Sequence, residues 1–354
     1  MTFTKLYNDD CLVKLKKIKT ESIDLIFVDP PYNLQLKNTL SRPDTSKVSA
    51  VNDYWDKFNS FEDYDKFSNE WITECKRVLK KNGSMWVIGS YHNIFRVGKI
   101  IQDNNFWILN DVIWNKKNPM PNFKGTRFTN AHETLIWAAK NEKSKYVFNY
   151  LSLKTFNDDK QLRSDWEIAI CNGRERLMIN NKKAHSTQKP EALLNRIILA
   201  SSNQKDLILD PFMGSGTTGA IAKKLNRKFI GIEKEKKYYQ IAKKRIFSTE
   251  QLNENYLETI PNKRKEKRVP FGYLVESGLV EPGLSLFDIR KKHLAKVMAD
   301  GSIKCKQLKG SIHKVGAEIE GLPSCNGWSY WHFNVEGKLL PIDVLRKKVR
   351  QSIL

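Results

Sequence analysis

One apolar stretch of this sequence ends abruptly in an acid and two prolines, and this feature constrains the fold more than any other. The stretch ESIDLIFV (21–28) runs into Asp29, Pro30, Pro31 and Tyr32. A continuous apolar run is typical of a parallel strand buried on both faces, and Pro-Pro ends such a strand because neither nitrogen carries a hydrogen to donate. Ligands of α/β sheets bind beyond the carboxyl ends of the strands. The sequence therefore predicts an α/β fold with a site at Asp29, although a rigid surface turn would have the same local pattern.

A second apolar strand ends in the same way and continues into a glycine-rich turn. The stretch DLILDPFMGSGTT (206–218) contains Asp210, Phe212, Gly214, Gly216 and Thr217. Helical spacing follows, and the next strand, KFIGIE, ends at Glu233. A tight turn before a helix N-terminus offers backbone N–H groups to an anionic ligand, and an acid at this distance suits ribose hydroxyls. The strand before the turn, the helix after it and the acid favour a binding site over a plain structural turn. The turn has one glycine fewer than a dinucleotide motif, so we expect a nucleoside that bears a carboxylate rather than a dinucleotide.

The charge balance limits the partners. The 354 residues carry a formal net charge of +22, which attracts polyanions such as nucleic acid or an anionic membrane surface. The sequence has no apolar window long enough to span a membrane and no hydrophobic region at its N-terminus, so we expect no membrane association. The five cysteines are scattered without metal-ligand spacing, which predicts reduced thiols in a cytosolic protein and no metal site.

The two strand ends together resemble the amino-methyltransferases that use S-adenosylmethionine to methylate exocyclic amines of DNA bases. The catalytic tetrapeptide precedes the glycine turn, as in the β class, and its first residue, Asp29, points to adenine N6. The resemblance implies a Rossmann-like methyltransferase sheet in which Asp29 and the Pro30 carbonyl hold the amine and Tyr32 stacks on a flipped base. Two alternatives stay open: a cytosine-N4 methyltransferase, and a non-catalytic DNA-binding protein with the same fold.

The same resemblance implies the set of residues that binds the cofactor. These are Asp10, Cys11, His185, Ser186, Thr187, Lys189, Asp210, Phe212, Gly214, Gly216, Thr217 and Glu233. Lys189 would suit the methionine carboxylate. Asp10 also has the pattern of a helix cap, and HSTQKP (185–190) that of a helix start capped by Thr187.

The chain is predicted to contain two domains. Residues 1–255 form the catalytic domain, and its segment from about 115 to 176 recognises the target through Asn122, Lys124 and Arg127. Residues 34–58 are either a mobile loop over the target base or a surface insertion. The strand tryptophans, Trp86, Trp107, Trp114 and Trp137, are expected in the core.

A basic linker (256–268) precedes a small α+β accessory domain (269–354) that ends in a helix, IDVLRKKVRQSIL. This domain resembles that of the GANTC-type enzymes, the HinfI and cell-cycle-regulated adenine methyltransferases, through Ser311, His313, Asn326, Gly327 and Trp328. We expect it to bind double-stranded DNA, with Trp328 either in its core or against a nucleotide. The resemblance also implies a cytoplasmic, nucleoid-associated prokaryotic protein, and it leaves a homodimer and a cognate restriction endonuclease open as partners.

Overall fold

The computed structural model describes residues 3–34, 56–122, 125–179, 182–185, 187–257, 259–260 and 268–352. The chain divides into two compact units, Met1–Pro261 and Asn262–Leu354. Each unit has its own hydrophobic core, as expected of separately packed domains. Most of the predicted loop over the target base (35–55) and most of the predicted linker (258 and 261–267) lie outside the described residues.

The first unit alternates strands and helices. Its described strands are β1 (Thr4–Asn8), β2 (Ile23–Val28), β3 (Leu79–Gly89), β4 (Trp107–Lys116), β5 (His132–Ala139), β6 (Asp165–Ile168), β7 (Met178–Ile179), β8 (Lys182–Lys183), β9 (Leu207–Asp210) and β10 (Lys228–Glu233). Its described helices are α1 (Cys11–Leu15), α2 (Phe61–Val78), α3 (Ile94–Asp103), α4 (Tyr150–Lys154), α5 (Glu191–Ser201), α6 (Thr217–Lys224) and α7 (Lys236–Ser248).

Eight of these strands form one mixed sheet in the order β1-β10-β9-β2-β3-β5-β4-β6. The first five are parallel, whereas β5 runs antiparallel to both of its neighbours. From β2 the chain continues to β3 on one side, and from β9 it continues to β10 on the other. A crevice therefore opens at the carboxyl ends of β2 and β9, which is where α/β sheets bind ligands.

Strand β2 is buried on both faces, as its continuous apolar sequence predicts. Leu25 and Phe27 belong to the core cluster that contains residues of α5, α6 and α7, and Ile26 and Val28 belong to the cluster that contains residues of α2 and α3. Each fully buried side chain of this kind contributes about 1.5–3 kcal/mol. Strand β2, which Asp29 directly follows, is thus packed into a hydrophobic core on both of its faces.

Three of the four strand tryptophans lie in the core, as expected. Trp86 and Trp137 are cross-strand partners on β3 and β5, and their rings stack with centroids 5.2 Å apart; Trp114 is also buried. The expectation for Trp107 is wrong, because this side chain is 49% exposed. Trp107 is the first residue of β4, so its ring lies at the end of the packed sheet rather than inside it.

The second unit contains an antiparallel sheet of six strands in the order β14-β13-β12-β11-β15-β16. Its strands are β11 (Ser285–Phe287), β12 (Leu294–Val297), β13 (Ile303–Cys305), β14 (Leu308–Gly310), β15 (His332–Val335) and β16 (Lys338–Pro341), and its helices are α8 (Phe271–Glu276), α9 (Ile312–Glu320), α10 (Gly327–Tyr330) and α11 (Asp343–Ser352). Trp328 and Trp331 are buried in its core. The α+β class predicted for this region matches the observed elements.

All five cysteines are unpaired, and four of them are buried. In the described part of the chain, no group of three or more His, Cys, Asp or Glu side chains is placed to hold a metal ion. A search of the same residues for a helix long and apolar enough to cross a membrane finds none.

Candidate active site

Four neighbouring parallel strands of the first unit bring acidic residues to one edge of the sheet. Asp210 and Glu233 are the last residues of β9 and β10, Asp29 directly follows β2, and Asp10 follows β1. All four side chains line one cavity of about 420 Å³. The strands are parallel, so their carboxyl ends coincide, and residues separated by more than 200 positions share one site.

The backbone of the tetrapeptide Asp29–Tyr32 is held by the Asp56 carboxylate. Asp56 Oδ1 accepts the N–H groups of Tyr32 at 2.5 Å and Asn33 at 2.9 Å, and Oδ2 accepts that of Leu34 at 3.0 Å. Asn33 adopts a left-handed backbone conformation with φ +54°. One buried carboxylate thus determines the path of the chain as it leaves Tyr32.

A buried tyrosine binds the second proline of the tetrapeptide. The Tyr64 hydroxyl, on α2, donates to the Pro31 carbonyl at 2.8 Å and accepts from Asn93 Nδ2 at 3.1 Å. Because the two proline rings and the side chains of Asp56 and Tyr64 restrict this segment, Asp29 is presented by a preorganised backbone.

A buried ionic network surrounds Asp29. The Lys189 ammonium lies 2.9 Å from Asp29 Oδ2 and 3.8 Å from Glu133 Oε2. The Tyr32 hydroxyl donates to Glu133 Oε2 at 3.1 Å, and Lys116 Nζ lies 2.9 Å from Glu133 Oε1. Two carboxylates and two ammonium groups are thus buried together, which balances their charges.

The network shifts its members' pKa values in different directions. Burial raises the pKa of Asp29, and the attraction of Lys189 offsets this only in part. Burial alone would also raise the pKa of Glu133, but Lys189 and Lys116 outweigh it and hold that pKa below its usual value. The pKa of Lys189 is raised, because Asp29 and Glu133 outweigh the effect of burial. Burial, together with the charges of Asp29 and Glu133, raises the pKa of the Tyr32 hydroxyl, which stays protonated.

The turn after β9 requires glycine at two positions, 214 and 216. Gly214 and Gly216 have φ +50° and +77°, where a side chain is strained. A Cβ on Gly214 would lie 3.2 Å from His185 Nε2, and one on Gly216 would lie 2.9 Å from the Cα of Ala242. Gly216 is the residue that caps α6, so the turn brings bare backbone to the cavity wall at the start of a helix.

Glu233 closes this turn from the neighbouring strand. Its Oε2 accepts the Gly214 N–H at 2.9 Å, and its Oε1 accepts the Glu235 N–H at 2.8 Å. Burial raises the pKa of Glu233 above its usual value. A carboxylate has about four acceptor sites, so Glu233 can accept a hydrogen bond from a ligand hydroxyl in addition to those from the backbone.

Two further buried titratable groups line the cavity, Asp210 and His185. Burial raises the pKa of Asp210 to about 7, although its carboxylate accepts hydrogen bonds from Thr218 and the Phe212 N–H. Burial lowers the pKa of His185 to about 4, with help from the Lys189 charge. The His185 ring packs against Tyr238, with centroids 4.4 Å apart, so a neutral imidazole forms part of the cavity wall.

Asp10 caps a helix, as one of its two predicted roles requires. Its Oδ1 accepts the Leu12 N–H at 2.9 Å and thereby caps α1, while Oδ2 lies 3.2 Å from Lys234 Nζ. The neighbouring Cys11 is buried, and burial raises its thiol pKa, so the sulfur acts as an uncharged part of the cavity wall.

Most of the predicted catalytic and cofactor residues meet in this one cavity. Those that line it are Asp10, Cys11, Asp29, Pro30, Pro31, Tyr32, His185, Thr187, Lys189, Asp210, Phe212, Gly214, Thr217 and Glu233. Gly216 lies behind the wall, and Ser186 falls outside the described residues. Thr187 does not cap the following helix, because α5 begins at Glu191 with Pro190 in the cap position. Lys189 contacts Asp29 directly, a partner that the sequence did not indicate.

The predicted DNA contacts lie elsewhere. The Arg127 guanidinium is exposed and donates to the Tyr91 hydroxyl at 2.9 Å. Asn122 is half-buried, and Lys124 falls outside the described residues. Trp328 belongs to the second unit, where its buried ring lines a separate cavity of about 540 Å³ and packs under the Arg346 guanidinium.

Among the residues that hold the tetrapeptide and its ionic network, sequence reasoning missed Asp56, Tyr64, Lys116 and Glu133. Glu133 gave one usable signal, since an acid within a strand followed by TLIWAA must find a buried partner. Asp56 and Tyr64 gave none, because only folding brings them to the tetrapeptide.

The residues around the cavity fit S-adenosylmethionine. Gly214 brings backbone without a side chain to the cavity wall, Glu233 offers acceptors for ribose hydroxyls, and the ring of Phe212 offers an apolar surface. The methionine ammonium would find the carboxylates of Asp10 and Asp210 within the same wall.

Comparison with known proteins identifies the class. Residues 23–244 match the N6/N4 DNA methylase family model, and residues 252–353 match a second one described as "Restriction Enzyme Adenine Methylase Associated". The chain belongs to the N6/N4 DNA methylase family: it is an S-adenosylmethionine-dependent DNA methyltransferase of the Type II group. The predicted family and fold class are thereby confirmed.

Individual relatives agree with this assignment. The chain is 48% identical to Type II methyltransferase M.HinfI of Haemophilus influenzae over 95% of its own length and 94% of that protein. It is 47% identical to Type II methyltransferase M2.LlaDCHI of Lactococcus lactis subsp. cremoris over 68% of its length and 88% of that protein.

Two solved structures share the fold. The M1.HpyAVI–SAM complex is 32% identical, with a TM-score of 0.51, and the match covers 69% of this chain and 99% of that one. The PvuII cytosine-N4-specific DNA methyltransferase is 22% identical, with a TM-score of 0.54 over 73% of this chain and 90% of that one, and it supports the fold alone.

Proposed function

We propose that this methyltransferase transfers the methyl group to adenine N6 in duplex DNA, within GANTC sites, after flipping the adenine out of the helix. The observation that carries the proposal is the single cavity that joins Asp29 and Tyr32 to the glycine turn. An acceptor for an amine and a binding surface for the methyl donor are thereby next to each other, as direct transfer requires.

The proposed chemistry follows from the residues at the cavity wall. The lone pair of an exocyclic amine is delocalised into the ring, which makes the amine a poor nucleophile. Hydrogen bonds from the amine to the Asp29 carboxylate and the Pro30 carbonyl would localise that lone pair on nitrogen. The Tyr32 ring offers a surface on which the flipped base stacks, and its hydrogen bond to Glu133 limits the ring's rotation.

The chain's own groups also account for the binding of the methyl donor. S-adenosylmethionine supplies an activated methyl group when it is bound. We propose that Glu233 accepts its ribose hydroxyls, that the backbone around Gly214 contacts its methionine part, and that Asp10 and His185 contribute to the rest of the wall. His185 is held neutral by burial, so it would add no positive charge to the cavity that would hold this cationic cofactor.

Two observations support adenine as the target. The tetrapeptide begins with Asp29 rather than serine, and the family matched by residues 252–353 is described as associated with adenine methylases. The match to M.HinfI over almost the whole chain supports a GANTC target and a Type II system, in which a cognate restriction endonuclease would be the partner.

We further propose that DNA is contacted by both units. In the first unit, Asn122, Lys124 and Arg127 belong to a polar and basic segment between β4 and β5. In the second unit, a cavity collects basic and polar side chains, namely Arg268, Ser311, His313, Asn326, Arg346 and Arg350. Arginine clusters of this kind suit DNA phosphates, and the excess of positive charge supports the same assignment.

One experiment tests the target. The protein is incubated with labelled S-adenosylmethionine and duplexes that contain GANTC or a scrambled site, and the DNA is digested for nucleoside analysis. The expected result is N6-methyladenine in the GANTC duplex alone. N4-methylcytosine would identify the alternative enzyme, methylation of the scrambled duplex would reject the site, and no transfer to either duplex would support a non-catalytic DNA-binding protein.

A further inference from the structure

The buried Lys189 ammonium lies between two carboxylates at unequal distances. It is 2.9 Å from Asp29 Oδ2 and 3.8 Å from Glu133 Oε2. Its side chain is 8% exposed, and that of Glu133 is 13% exposed. An ammonium group this deeply buried must keep a carboxylate partner, because leaving it unpaired would be strongly destabilising.

This pairing conflicts with the proposed chemistry. Asp29 is to accept a hydrogen bond from the target amine, and a carboxylate already neutralised by an ammonium is a weaker acceptor. Lys189 can release Asp29 only if a second carboxylate receives it. Of the chain's own carboxylates, Glu133 is the one placed to do so, because its Oε2 lies 3.8 Å from Nζ and needs an approach of about 1 Å to reach hydrogen-bond distance.

We propose that Glu133 is a positioning residue that receives the Lys189 ammonium when the target amine binds Asp29. This inference deepens the proposed function and rests on it. The transfer of Lys189 from one carboxylate to the other breaks no covalent bond, and the buried group of two carboxylates and two ammonium ions stays neutral throughout. Glu133 Oε2 also accepts the hydrogen bond of the Tyr32 hydroxyl, so one carboxylate orients both Lys189 and Tyr32.

The surroundings of Glu133 suit this role. Its Oε1 pairs with Lys116 at 2.9 Å, which leaves Oε2 directed to Tyr32 and Lys189. Glu133 also lies on strand β5, where it is the register partner of Trp114 on β4. A strand residue bonded into the sheet stays in place, so the lysine side chain moves while the receiving carboxylate does not.

The first test is the near-isosteric substitution Glu133→Gln in the full chain. Without the second carboxylate, Lys189 stays on Asp29, and we expect the single-turnover rate of methyl transfer to fall at least about tenfold. Extrusion of the base should persist, because it precedes the contact with the amine. A duplex with 2-aminopurine at the target position reports extrusion by its fluorescence, which we expect to remain within about twofold of the parent.

A second test separates this role from a structural one. Adding Lys189→Gln to Glu133→Gln removes the ammonium that blocks Asp29, so the double variant should transfer methyl groups at least as fast as the Glu133→Gln variant. A Glu133 that acts independently of Lys189 would instead make the losses add. The Glu133→Asp variant keeps the charge and should recover part of the rate, which keeps the proposal testable if the glutamine variant folds poorly.

Glu21→Gln is the matched control. It removes the carboxylate from a lysine pair, with Lys140 at 2.8 Å, at the opposite edge of the same sheet, and it should leave the transfer rate unchanged. A parental rate in Glu133→Gln, an equal loss of extrusion and transfer, or a double variant slower than Glu133→Gln would each overturn the role of Glu133. Failure of the proposed function would appear differently, as a parent protein that methylates no exocyclic amine of duplex DNA.

Discussion

Asp29 combines a buried position with an ionic partner, and both matter for its proposed role. Burial raises its pKa, while the Lys189 ammonium at 2.9 Å favours the ionised form. The Asp29 carboxylate therefore lies next to an ammonium group that competes with the target amine for it. The strength of its interaction with the target amine then depends on the neighbours that surround it as much as on the residue itself.

Replacing Asp29 with alanine should abolish methyl transfer without abolishing binding. The carboxylate is proposed to strengthen the nucleophile, so its loss affects the transition state, and we expect the single-turnover rate to fall by more than about 100-fold. Calorimetry should show that S-adenosylmethionine still binds, and a gel-shift assay should show the same for DNA. Residual turnover within tenfold of the parent would argue against a catalytic Asp29.

Asp210 should make the stability of the protein depend on pH in a direction unusual for a carboxylate. Its folded pKa of about 7 lies above the ordinary aspartate pKa of 3.8, so between these pH values the folded state binds a proton at this carboxyl group and the unfolded state does not. Stability from this group is therefore greatest at low pH and is lost as pH rises towards 7.

The variant Asp210→Asn removes this dependence. The stability of the parent minus that of the variant should decrease by about 1 kcal/mol per pH unit as pH rises from 4 to 7. Urea unfolding of both proteins at several pH values measures this difference. A difference that stays constant over that range would show that Asp210 does not take up a proton on folding.

At the scale of elements, the site depends on how the chain leaves β2. The prolines end the strand, but two side chains from later in the chain determine the position of the residues that follow. These are Asp56, which precedes α2, and Tyr64, which lies on α2. The segment is thus rigid because an adjacent helix and a buried acid hold it, and its own sequence supplies only part of that rigidity.

Replacing Asp56 with alanine should loosen the segment and slow catalysis. Three N–H groups, of Tyr32, Asn33 and Leu34, lose their acceptor, and we expect a loss of about 1–3 kcal/mol in stability and a fall of at least about tenfold in transfer rate. Thermal unfolding and single-turnover assays measure the two effects. Asp65→Ala, which removes an ion pair between α2 and Arg96 of α3, is the control and should leave the rate unchanged.

At the scale of the whole molecule, the chemistry and the proposed DNA affinity are divided between the two units. Every described residue of the 420 Å³ cavity lies in the first unit, and the basic 540 Å³ cavity lies in the second. This division predicts that the two binding activities can be separated.

A chain ended near residue 260 should still bind S-adenosylmethionine with the affinity of the full-length protein, because it keeps the complete eight-stranded sheet. Its affinity for DNA should fall, and the slope of log affinity against log salt should flatten by about 0.9 for each phosphate contact removed. Fluorescence anisotropy at several salt concentrations measures both quantities. Full-length affinity and slope in the truncated chain would show that the second unit does not bind DNA.

The sequence by itself determined the local elements and the chemistry at their ends. Continuous apolar runs predicted the buried strands, Asp-Pro ended them, and the glycines of the turn after β9 were required by left-handed backbone angles that only glycine adopts easily. These features depend on residues that are neighbours in the chain, so their spacing contains enough information to predict the class of fold and most of the cavity wall.

The tertiary structure alone decided which distant groups meet. Glu133 reaches Tyr32 because β5 runs antiparallel beside β3, and Asp56 reaches the tetrapeptide because the chain returns to it before α2. It also decided that Thr187 is not a cap, that Trp107 is exposed, and that Lys189 pairs with Asp29. The physical reason is the same in each case: burial and ion pairing are set by neighbours in space, and strand order and direction, which sequence periodicity does not contain, determine those neighbours.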